Sequence, residues 1–437
     1  MKVIICGAGF IGRSVAVYLD SIGHSVTIID KSKAALDLAK SIAPIYCVLG
    51  DALSIELLEN NDASKVDIVL AVTNSDAVNL AICQIAKSFF TVKINVARIK
   101  RDAWFYGNRI ADDFAPDFVF SPELVIANAL FCKLKWPMIS KKFTAQCGLK
   151  ICLCNAKIGK KFLLNFNAIS KKFNGVILGI LHDNIILMPD DCLNIKMDTD
   201  DRLIIVVKDL SFLNGNLFTD FVQFSSGFVL FVGKIEILHT LLKIMQKNEV
   251  KRKILFISNN ENKAFTAANE FEKVDVIKGN VFDQLTIETI AKYGIKNAIL
   301  ATGDDARNVM LSLYLKRCLS TELSTFIINS EFTNDFLNHL NVDYNIDLCR
   351  EANHFFSYII SNAFHVGHKS YVLSDIKIIE MKIDLSSDFV GKSVKEFLLK
   401  YKIDSALALL RSDSIFLPNY DSKLELGDVV LGVNRAS

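Results

Sequence analysis

The sequence has 437 residues, of which 51% are apolar and 22% charged, and its formal net charge is +2. Ordinary domains have about 100–150 residues, so we expect three or four of them. A membrane-spanning helix needs about 20 apolar residues, and the best candidate, 227–242, is interrupted by Lys234, Glu236 and His239. The balanced charge, without a basic stripe interleaved with aromatic residues, argues against nucleic acid as a partner.

The N-terminus and the cysteines point to a cytosolic protein without a metal. The first residues, MKVIICGAGF, show no basic segment ahead of a long apolar stretch and no small-residue cleavage site, so we expect no secretion signal. Cys152 and Cys154, with Cys147 and His182 elsewhere, lack the second close ligand pair of a zinc site, and the pair of histidines in 365–368 is equally weak. We predict no metal site and expect the cysteines to be reduced apolar residues.

Short apolar strands alternate with amphipathic helices over the first hundred residues. The first strand passes directly into a glycine turn and a helix that Gly23 ends. Strands are predicted at 3–6, 26–29, 46–49, 68–72 and 94–99, with later helices at 34–42, 55–58 and 77–87. This alternation predicts a parallel sheet with helices on both faces.

The pattern changes near residue 141 and then returns. Short strand-like segments at 149–154, 176–181 and 203–207, separated by polar turns, predict a small β-rich module. The second half then repeats the order of the first. Three pairs of matching residues lie 229 positions apart: Asn79 and Asn308, Gly50 and Gly279, and Pro189 and Pro418. Such a period indicates a tandem repeat.

The predicted fold class is therefore α/β, with two tandem Rossmann-like parallel-sheet domains, each followed by a small α+β C-terminal module. We expect a first nucleotide-binding domain at 1–138 and its small domain at 139–215. We expect a second, degenerate Rossmann-like domain at 226–362 and a second small domain at 370–437.

The glycine turn carries the fingerprint of a dinucleotide site. Gly7 permits the tight turn, Gly9 lets backbone amides approach a pyrophosphate, and Gly12 lets the helix pack closely on the strand. Asp30 ends the next strand and can accept hydrogen bonds from an adenosine ribose while repelling a 2′-phosphate, which favours NAD over NADP. The alternative is that Asp30 only caps the turn before Ser32.

Three further polar residues follow later strands, where the carboxyl ends of parallel strands line a ligand crevice. Thr73 and Asn74 are candidate contacts to phosphate or ribose, although the same loop could simply cap the next helix. Arg98 could pair with a phosphate through its planar guanidinium. A surface salt bridge is an equally good interpretation of Arg98.

The second half has lost most of this pattern. After its first strand, Gly233 is followed by Lys234, and the other two fingerprint glycines are missing. Ile235 and Leu238 should obstruct the pyrophosphate and the close helix packing. Counting by the repeat places Asn259, a neutral residue, opposite Asp30. We expect the second site to be empty or weak.

Several segments together resemble the regulator-of-potassium-conductance (RCK, or KTN) family. They are the glycine fingerprint, Asp30, Gly50-Asp51, the segment 71–79, Ala97-Arg98-Ile99 and Ser121-Pro122-Glu123. The tandem arrangement over the whole chain is similar to that of the regulatory proteins of Trk-type potassium uptake systems. The resemblance implies a nucleotide-binding regulator that binds NAD or NADH and assembles as a homo-oligomeric ring under a potassium-translocating membrane subunit of the TrkH/TrkG type.

The same resemblance implies a cytoplasmic protein, peripheral on the inner face of the membrane, that is not an enzyme. The residues assigned to nucleotide binding are Gly7, Ala8, Gly9, Phe10, Ile11, Gly12, Asp30, Asp51, Thr73, Asn74 and Arg98.

Two other ligand classes or activities stay open. A sensor of ATP or ADP would use the same amide cradle and acidic residue. An NAD-dependent dehydrogenase would need a proton-transfer group beside the nicotinamide, and the first small module offers a single histidine, His182. We therefore expect regulation by ligand-driven conformational change.

Overall fold

The computed structural model describes most of the chain: residues 1–61, 63–100, 115–136, 139–144, 147, 149–155, 175–182, 185–187, 202–207, 227–319, 321, 323–328, 344–363, 369–373, 376–385, 387–403, 405–412, 414–416 and 418–435. The chain forms two compact units, each built from two separated segments. The first unit contains Met1–Phe131 and Gly227–Ile359, and the second contains Cys132–Ser226 and Ile360–Ser437.

The first Rossmann-like domain contains a six-stranded, fully parallel sheet in the order β3-β2-β1-β4-β5-β6. The strands are β1 Lys2–Cys6, β2 Ser25–Asp30, β3 Tyr46–Leu49, β4 Ile68–Ala71, β5 Ile94–Arg98 and β6 Phe118–Phe120. The helices are α1 Phe10–Ser21, α2 Lys33–Ile42, α3 Ile55–Asn60, α4 Asp76–Phe89 and α5 Pro122–Lys135. The strand order reverses between β1 and β4, which is where ligands bind in open sheets of this kind.

Local sequence explains why these elements begin where they do. The serines before α2, α3 and α4 each accept a hydrogen bond from a backbone N–H in the first turn, namely Ser32 from Ala35, Ser54 from Leu57 and Ser75 from Val78. The strands β1 and β4 are buried almost throughout. Burial on both faces is expected of parallel strands that have helices on either side.

The first small module is an antiparallel sheet in the order β10-β9-β11-β8-β7. Its strands are β7 Ile139–Thr144, β8 Lys150–Asn155, β9 Gly175–His182, β10 Ile185–Leu187 and β11 Arg202–Val207. Cys152 and Cys154 are buried on β8, and neither is part of a disulfide. Within the described residues, no group of three or more His, Cys, Asp or Glu side chains could hold a metal ion. The segment 365–368 and Pro189 lie outside the described residues.

The second Rossmann-like domain repeats the topology of the first, in the parallel order β14-β13-β12-β15-β16-β17. Its strands are β12 Phe228–Gly233, β13 Lys253–Ser258, β14 Val274–Lys278, β15 Asn297–Ala301, β16 Leu323–Ile328 and β17 Tyr344–Asp347. Its helices are α6 Ile235–Lys247, α7 Glu261–Glu270, α8 Gln284–Ala291, α9 Asp305–Leu319 and α10 Leu348–Ala363.

The second small module is again antiparallel, in the order β18-β19-β22-β20-β21. Its elements are β18 Lys369–Leu373, β19 Ile376–Lys382, α11 Val394–Tyr401, β20 Ser405–Arg411, β21 Ser414–Phe416 and β22 Val429–Arg435. Two Rossmann-like parallel sheets and two smaller antiparallel sheets confirm the predicted fold class. None of the helices in the described ranges has the length and apolar character needed to cross a bilayer.

Each domain of the first half packs against the corresponding domain of the second half, and the sequence did not predict this packing. In the first unit, the ring of Phe120 lies 5.0 Å from that of Phe355 and 5.2 Å from that of Phe356, measured between centroids. In the second unit, one apolar cluster combines residues of both small modules, including Leu153 and Leu431. Each kind of domain therefore buries apolar surface against its own repeat.

Candidate functional site

The three fingerprint glycines are required for three different reasons. Gly7 has φ +114°, and a Cβ there would lie 3.0 Å from the backbone nitrogen of Thr73. A Cβ at Gly12 would lie 1.9 Å from the carbonyl oxygen of Gly7, so α1 can pack this closely only without a side chain. A Cβ at Gly9 would meet nothing within 4 Å. Gly9 thus leaves open space at the start of α1.

Asp30 fixes the glycine loop from the end of β2. Its Oδ2 accepts a hydrogen bond of 2.6 Å from the N–H of Ala8, and its Oδ1 accepts one of 2.7 Å from the N–H of Ser32. The turn before Ser32 is therefore capped by Asp30, as the alternative interpretation required. Each carboxylate oxygen has a second lone pair, so the capping role and ribose binding are compatible.

Asp51 follows β3 and is held by its neighbours. It forms an ion pair of 2.9 Å with Lys31 and accepts a hydrogen bond from the N–H of Leu53. The hydrogen bond from Lys31, followed by that from Leu53, lowers the pKa of the Asp51 carboxyl. Asp51 is thus a half-exposed carboxylate beside the turn that follows Asp30.

A buried asparagine organises the loop after β4. The Oδ1 of Asn79 accepts hydrogen bonds from the backbone N–H of Thr73 at 2.9 Å and from its hydroxyl at 2.6 Å. The Nδ2 of Asn79 donates to the carbonyl of Arg98 at 2.8 Å. Asn79 therefore fixes Thr73 and Arg98 to each other. The repetition of Asn79 as Asn308 was a sequence signal for this role, but Asn79 was not among the predicted site residues.

Arg98 and Glu123 are half-buried charged residues, and each has one buried polar atom without a hydrogen-bond partner. The Nη1 of Arg98 lies 3.4 Å from the Oδ1 of Asn74, while its Nε is buried without a partner. The Oε2 of Glu123 is also buried without a partner. Burial lowers the pKa of Arg98 and raises the pKa of Glu123. Glu123 lies in the Ser-Pro-Glu segment but was not among the predicted site residues.

These groups surround a cavity of about 320 Å³ within the first unit. From the first domain, its lining includes Gly9, Phe10, Ile11, Asn74, Arg98 and Glu123. From the second domain, it includes Lys234, Ile237, Ala301, Gly303, Ile327 and Leu348. The structure thus brings five of the predicted residues to the cavity wall. Gly7, Ala8, Gly12, Asp30 and Thr73 support that wall through the contacts given above, whereas Asp51 is not among the lining residues.

The two sides of the cavity are structural equivalents with different chemistry. Asn308 of the second domain donates to the carbonyl of Ile327 at 2.8 Å, as Asn79 donates to that of Arg98. Ile327 therefore occupies the position of the arginine. The second domain presents an apolar side chain where the first presents a guanidinium.

Ser258 occupies the position in the second domain that Asp30 occupies in the first, so the expectation that Asn259 stands there is wrong. The N–H of Gly279 bonds the carbonyl of Ser258 as the N–H of Gly50 bonds that of Asp30. The Oγ of Ser258 accepts from the N–H of Asn260, two residues on, as Asp30 accepts from Ser32. The second half has one more residue between these points, so counting back from Gly279 by the spacing of the first half stops one residue short, at Asn259.

The residues present fit a nucleotide in the first domain better than in the second. The first domain combines an open Gly9, an acidic residue at the end of β2 and the buried, partnerless Nε of Arg98. In the second domain Leu238, five residues after Gly233 as Gly12 is after Gly7, is a fully buried side chain. Ile327 and Ser258 replace the two charged groups.

Curated relatives share parts of this sequence. The Trk system potassium uptake protein TrkA of Azorhizobium caulinodans is 32% identical over 141 residues, which are 31% of each chain. That of Mycobacterium tuberculosis is 38% identical over 117 residues, 26% of this chain and 53% of the relative. That of Haemophilus influenzae is 22% identical over 328 residues, 72% of this chain and 70% of the relative. The first two alignments thus span less than two thirds of the relatives.

Solved structures share the fold. The GsuK channel matches all of this chain and 77% of its own, with a TM-score of 0.65 and 14% identity. The GsuK channel bound to NAD matches the same shares with a TM-score of 0.64 and 15% identity. GsuK bound to ADP matches 83% of this chain and 69% of its own, with a TM-score of 0.51 and 12% identity.

The TrkA-N domain family matches the chain twice, at residues 3–107 and 230–348. The two matches include all or most of every strand of the two parallel sheets except β6, and together contain more than half of the chain. The chain therefore belongs to the TrkA-N domain family.

Proposed function

We propose that this protein is a nucleotide-binding regulatory subunit of a potassium uptake system. In this proposal NAD or NADH binds the first nucleotide domain and changes potassium flux through a membrane-embedded partner of the TrkH/TrkG type. The names of the curated relatives support the link to potassium uptake. The GsuK structures with NAD and with ADP support a nucleotide as the ligand.

The observation that carries the proposal is the chemical difference between the two faces of the cavity. On the first-domain face, the open backbone at Gly9 adjoins Arg98, whose Nε is buried without a partner. Backbone N–H groups at the start of α1 and a guanidinium together suit phosphate oxygens. Asp30 would hold the ribose, while Thr73 and Asn74 would position the loop beside the phosphates.

Binding in a cavity lined by two domains gives a physical route to regulation. A ligand shifts a conformational equilibrium only by its differential affinity for the two states. A nucleotide that contacts both walls would bind most tightly when the domains hold the arrangement described here. We expect a coupling of about 1–3 kcal/mol between nucleotide binding and the partner, equal in both directions.

Calorimetric titration of the purified protein with NAD, NADH, ATP and ADP tests the ligand. One nucleotide per chain, with NAD or NADH bound more tightly than ATP or ADP, is the expected result. Tighter binding of ATP or ADP would favour the alternative of an adenine-nucleotide sensor with the same fold. Failure to bind any of the four at millimolar concentration would contradict the proposal.

Potassium flux into vesicles that contain the membrane partner tests the regulation. When this protein is present, the addition of nucleotide should change the potassium flux. When this protein is absent, the addition of nucleotide should leave the flux unchanged. The absorbance of NADH should meanwhile stay constant with candidate alcohols and acids. Steady hydride turnover in the absence of the transporter would favour the dehydrogenase. Light scattering tests the expected homo-oligomeric ring, which a monomer at micromolar concentration would contradict.

A further inference from the structure

Lys234 lies on the second-domain side of the cavity, directly after Gly233 and at the start of α6. Its side chain runs across Gly303, because a Cβ at Gly303 would lie 2.7 Å from the Cε and 3.1 Å from the Nζ of Lys234. Gly303 also lines the cavity and occupies the position that Asn74 holds in the first domain. The ammonium group therefore lies at the cavity wall.

The charges around this cavity are mostly positive. Lys234 stands close enough to act on groups of the first domain: burial raises the pKa of Glu123 and lowers that of Lys100, and the charge of Lys234 opposes the first shift and adds to the second. The Nζ of Lys100 donates to the carbonyl of Asn74 at 2.9 Å, which places it beside Arg98. Arg98, Lys100 and Lys234 thus outnumber the two carboxylates that act on them, Glu123 and Asp76. A net positive charge suits an anionic ligand such as a phosphate.

The first domain does not itself supply a free cation on its glycine loop. The loop from Gly7 to Gly12 carries no charged side chain, and the nearby Arg13 donates its Nη1 to the carbonyl of Ala8 at 2.7 Å. Phosphates on this loop would have Arg98 on one side only. The opposite side of the cavity is formed by the second domain, where Lys234 is the charged residue at the wall.

The second domain is ill suited to hold a nucleotide of its own beside Lys234. Leu238 is fully buried where the first domain has Gly12, and Ile327 stands where the first domain has Arg98. The lysine itself covers Gly303. The side chain of Lys234 thus packs on Gly303 of its own domain. It also lines the cavity that Gly9 lines from the first domain.

We propose that Lys234 is a phosphate-binding residue of the nucleotide site in the first domain, so that the degenerate second domain completes that site. This inference rests on the proposed function. The ligand class is an adenosine diphosphate or dinucleotide, whose pyrophosphate would lie between the amides of the Gly9 loop and the ammonium of Lys234. In this proposal the second domain binds no nucleotide of its own, and it contributes to binding through the positive charge of Lys234.

Calorimetry on the full chain tests this with Lys234→Met and Lys234→Arg, using ADP as the probe. Lys234→Met removes the charge and keeps the length of the side chain, and should weaken ADP binding about tenfold. Lys234→Arg should bind within about threefold of the parent protein, because the cation remains. Lys247→Met, at the exposed far end of the same helix, is the matched control and should leave ADP binding unchanged.

The affinity for adenosine, measured by displacement of a fluorescent ADP analogue, distinguishes the loss of a phosphate contact from a general disturbance of the site. Its affinity should be the same in the parent protein and in Lys234→Met, because adenosine has no phosphate. An equal loss for adenosine and ADP, or unchanged ADP binding in Lys234→Met, would overturn the inference and leave the proposed function intact. Absence of ADP and NAD binding to the parent protein would overturn both.

Discussion

The backbone N–H of Ala8 donates a hydrogen bond of 2.6 Å to the Asp30 carboxylate, so the end of β2 holds the glycine loop of the neighbouring strand β1. The other carboxylate oxygen fixes the start of α2 through Ser32. One side chain therefore fixes the loop that would bind phosphates and stands where a ribose would lie. The shape of the loop and the recognition of the sugar depend on the same charge.

Asp30→Asn should weaken nucleotide binding by about 1.5–3 kcal/mol, because hydrogen bonds to a charged acceptor are replaced by bonds to a neutral one. Calorimetry with NAD measures this change. The matched control is Ser258→Ala, at the equivalent position of the second domain, which should leave NAD binding unchanged. An Asp30→Asn protein that binds NAD like the parent would remove Asp30 from the site.

Gly9→Ala and Gly12→Ala should separate binding from folding. The methyl group of Gly9→Ala enters open space, so the melting temperature should stay unchanged while nucleotide affinity falls. That of Gly12→Ala would lie 1.9 Å from the Gly7 carbonyl oxygen, and forcing α1 away from β1 should cost at least about 1–3 kcal/mol. Thermal unfolding and NAD titration of both variants test this. Equal melting temperatures would contradict the close packing at Gly12.

Asn79→Ala should destabilise the first unit by about 2–4 kcal/mol, because the Thr73 N–H and the Arg98 carbonyl lose their buried partner. Asn308→Ala should have a similar cost, since it makes the equivalent bonds in the second domain. Urea denaturation measures both effects. Nucleotide affinity distinguishes the two, because only Asn79 orders the loop beside Arg98. Equal losses of NAD affinity would contradict the assignment of the site to the first domain.

Glu123→Gln should raise stability at neutral pH and leave it nearly unchanged in acid. Burial raises the pKa of Glu123 above its ordinary value of 4.5, although Arg98, Lys100 and Lys234 oppose the shift. The folded state therefore favours the protonated carboxyl, and that contribution to stability is complete below the ordinary pKa and is lost as the pH rises through the raised value.

Melting temperatures of the parent protein and Glu123→Gln, measured from acid to neutral pH, test this prediction. The difference between them should grow as the pH rises above 4.5. Nucleotide affinity should be higher in Glu123→Gln at neutral pH, since a carboxylate facing the phosphates is removed. A difference in melting temperature that shrinks with rising pH would contradict the burial argument.

The sequence by itself determined the fold class and identified candidate site residues in the first half. Alternating strands and helices, the 229-residue period and the spacing of Gly7, Gly9, Gly12 and Asp30 are local patterns, and each is caused by the geometry of one turn or one element. The boundaries of the four domains and the roles of the predicted site residues stay predictions.

The tertiary structure decided which domains pack together and what lies opposite the glycine loop. Phe120 meets Phe355, and Lys234 lines the same cavity as Gly9, although more than 200 residues separate each pair along the chain. No local pattern encodes such a pairing, because it depends on the complementarity of surfaces that form only after the strands and helices have packed. The equivalence of Ser258 and Asp30 likewise became clear only from the hydrogen bonds, because counting by a fixed period does not detect one inserted residue.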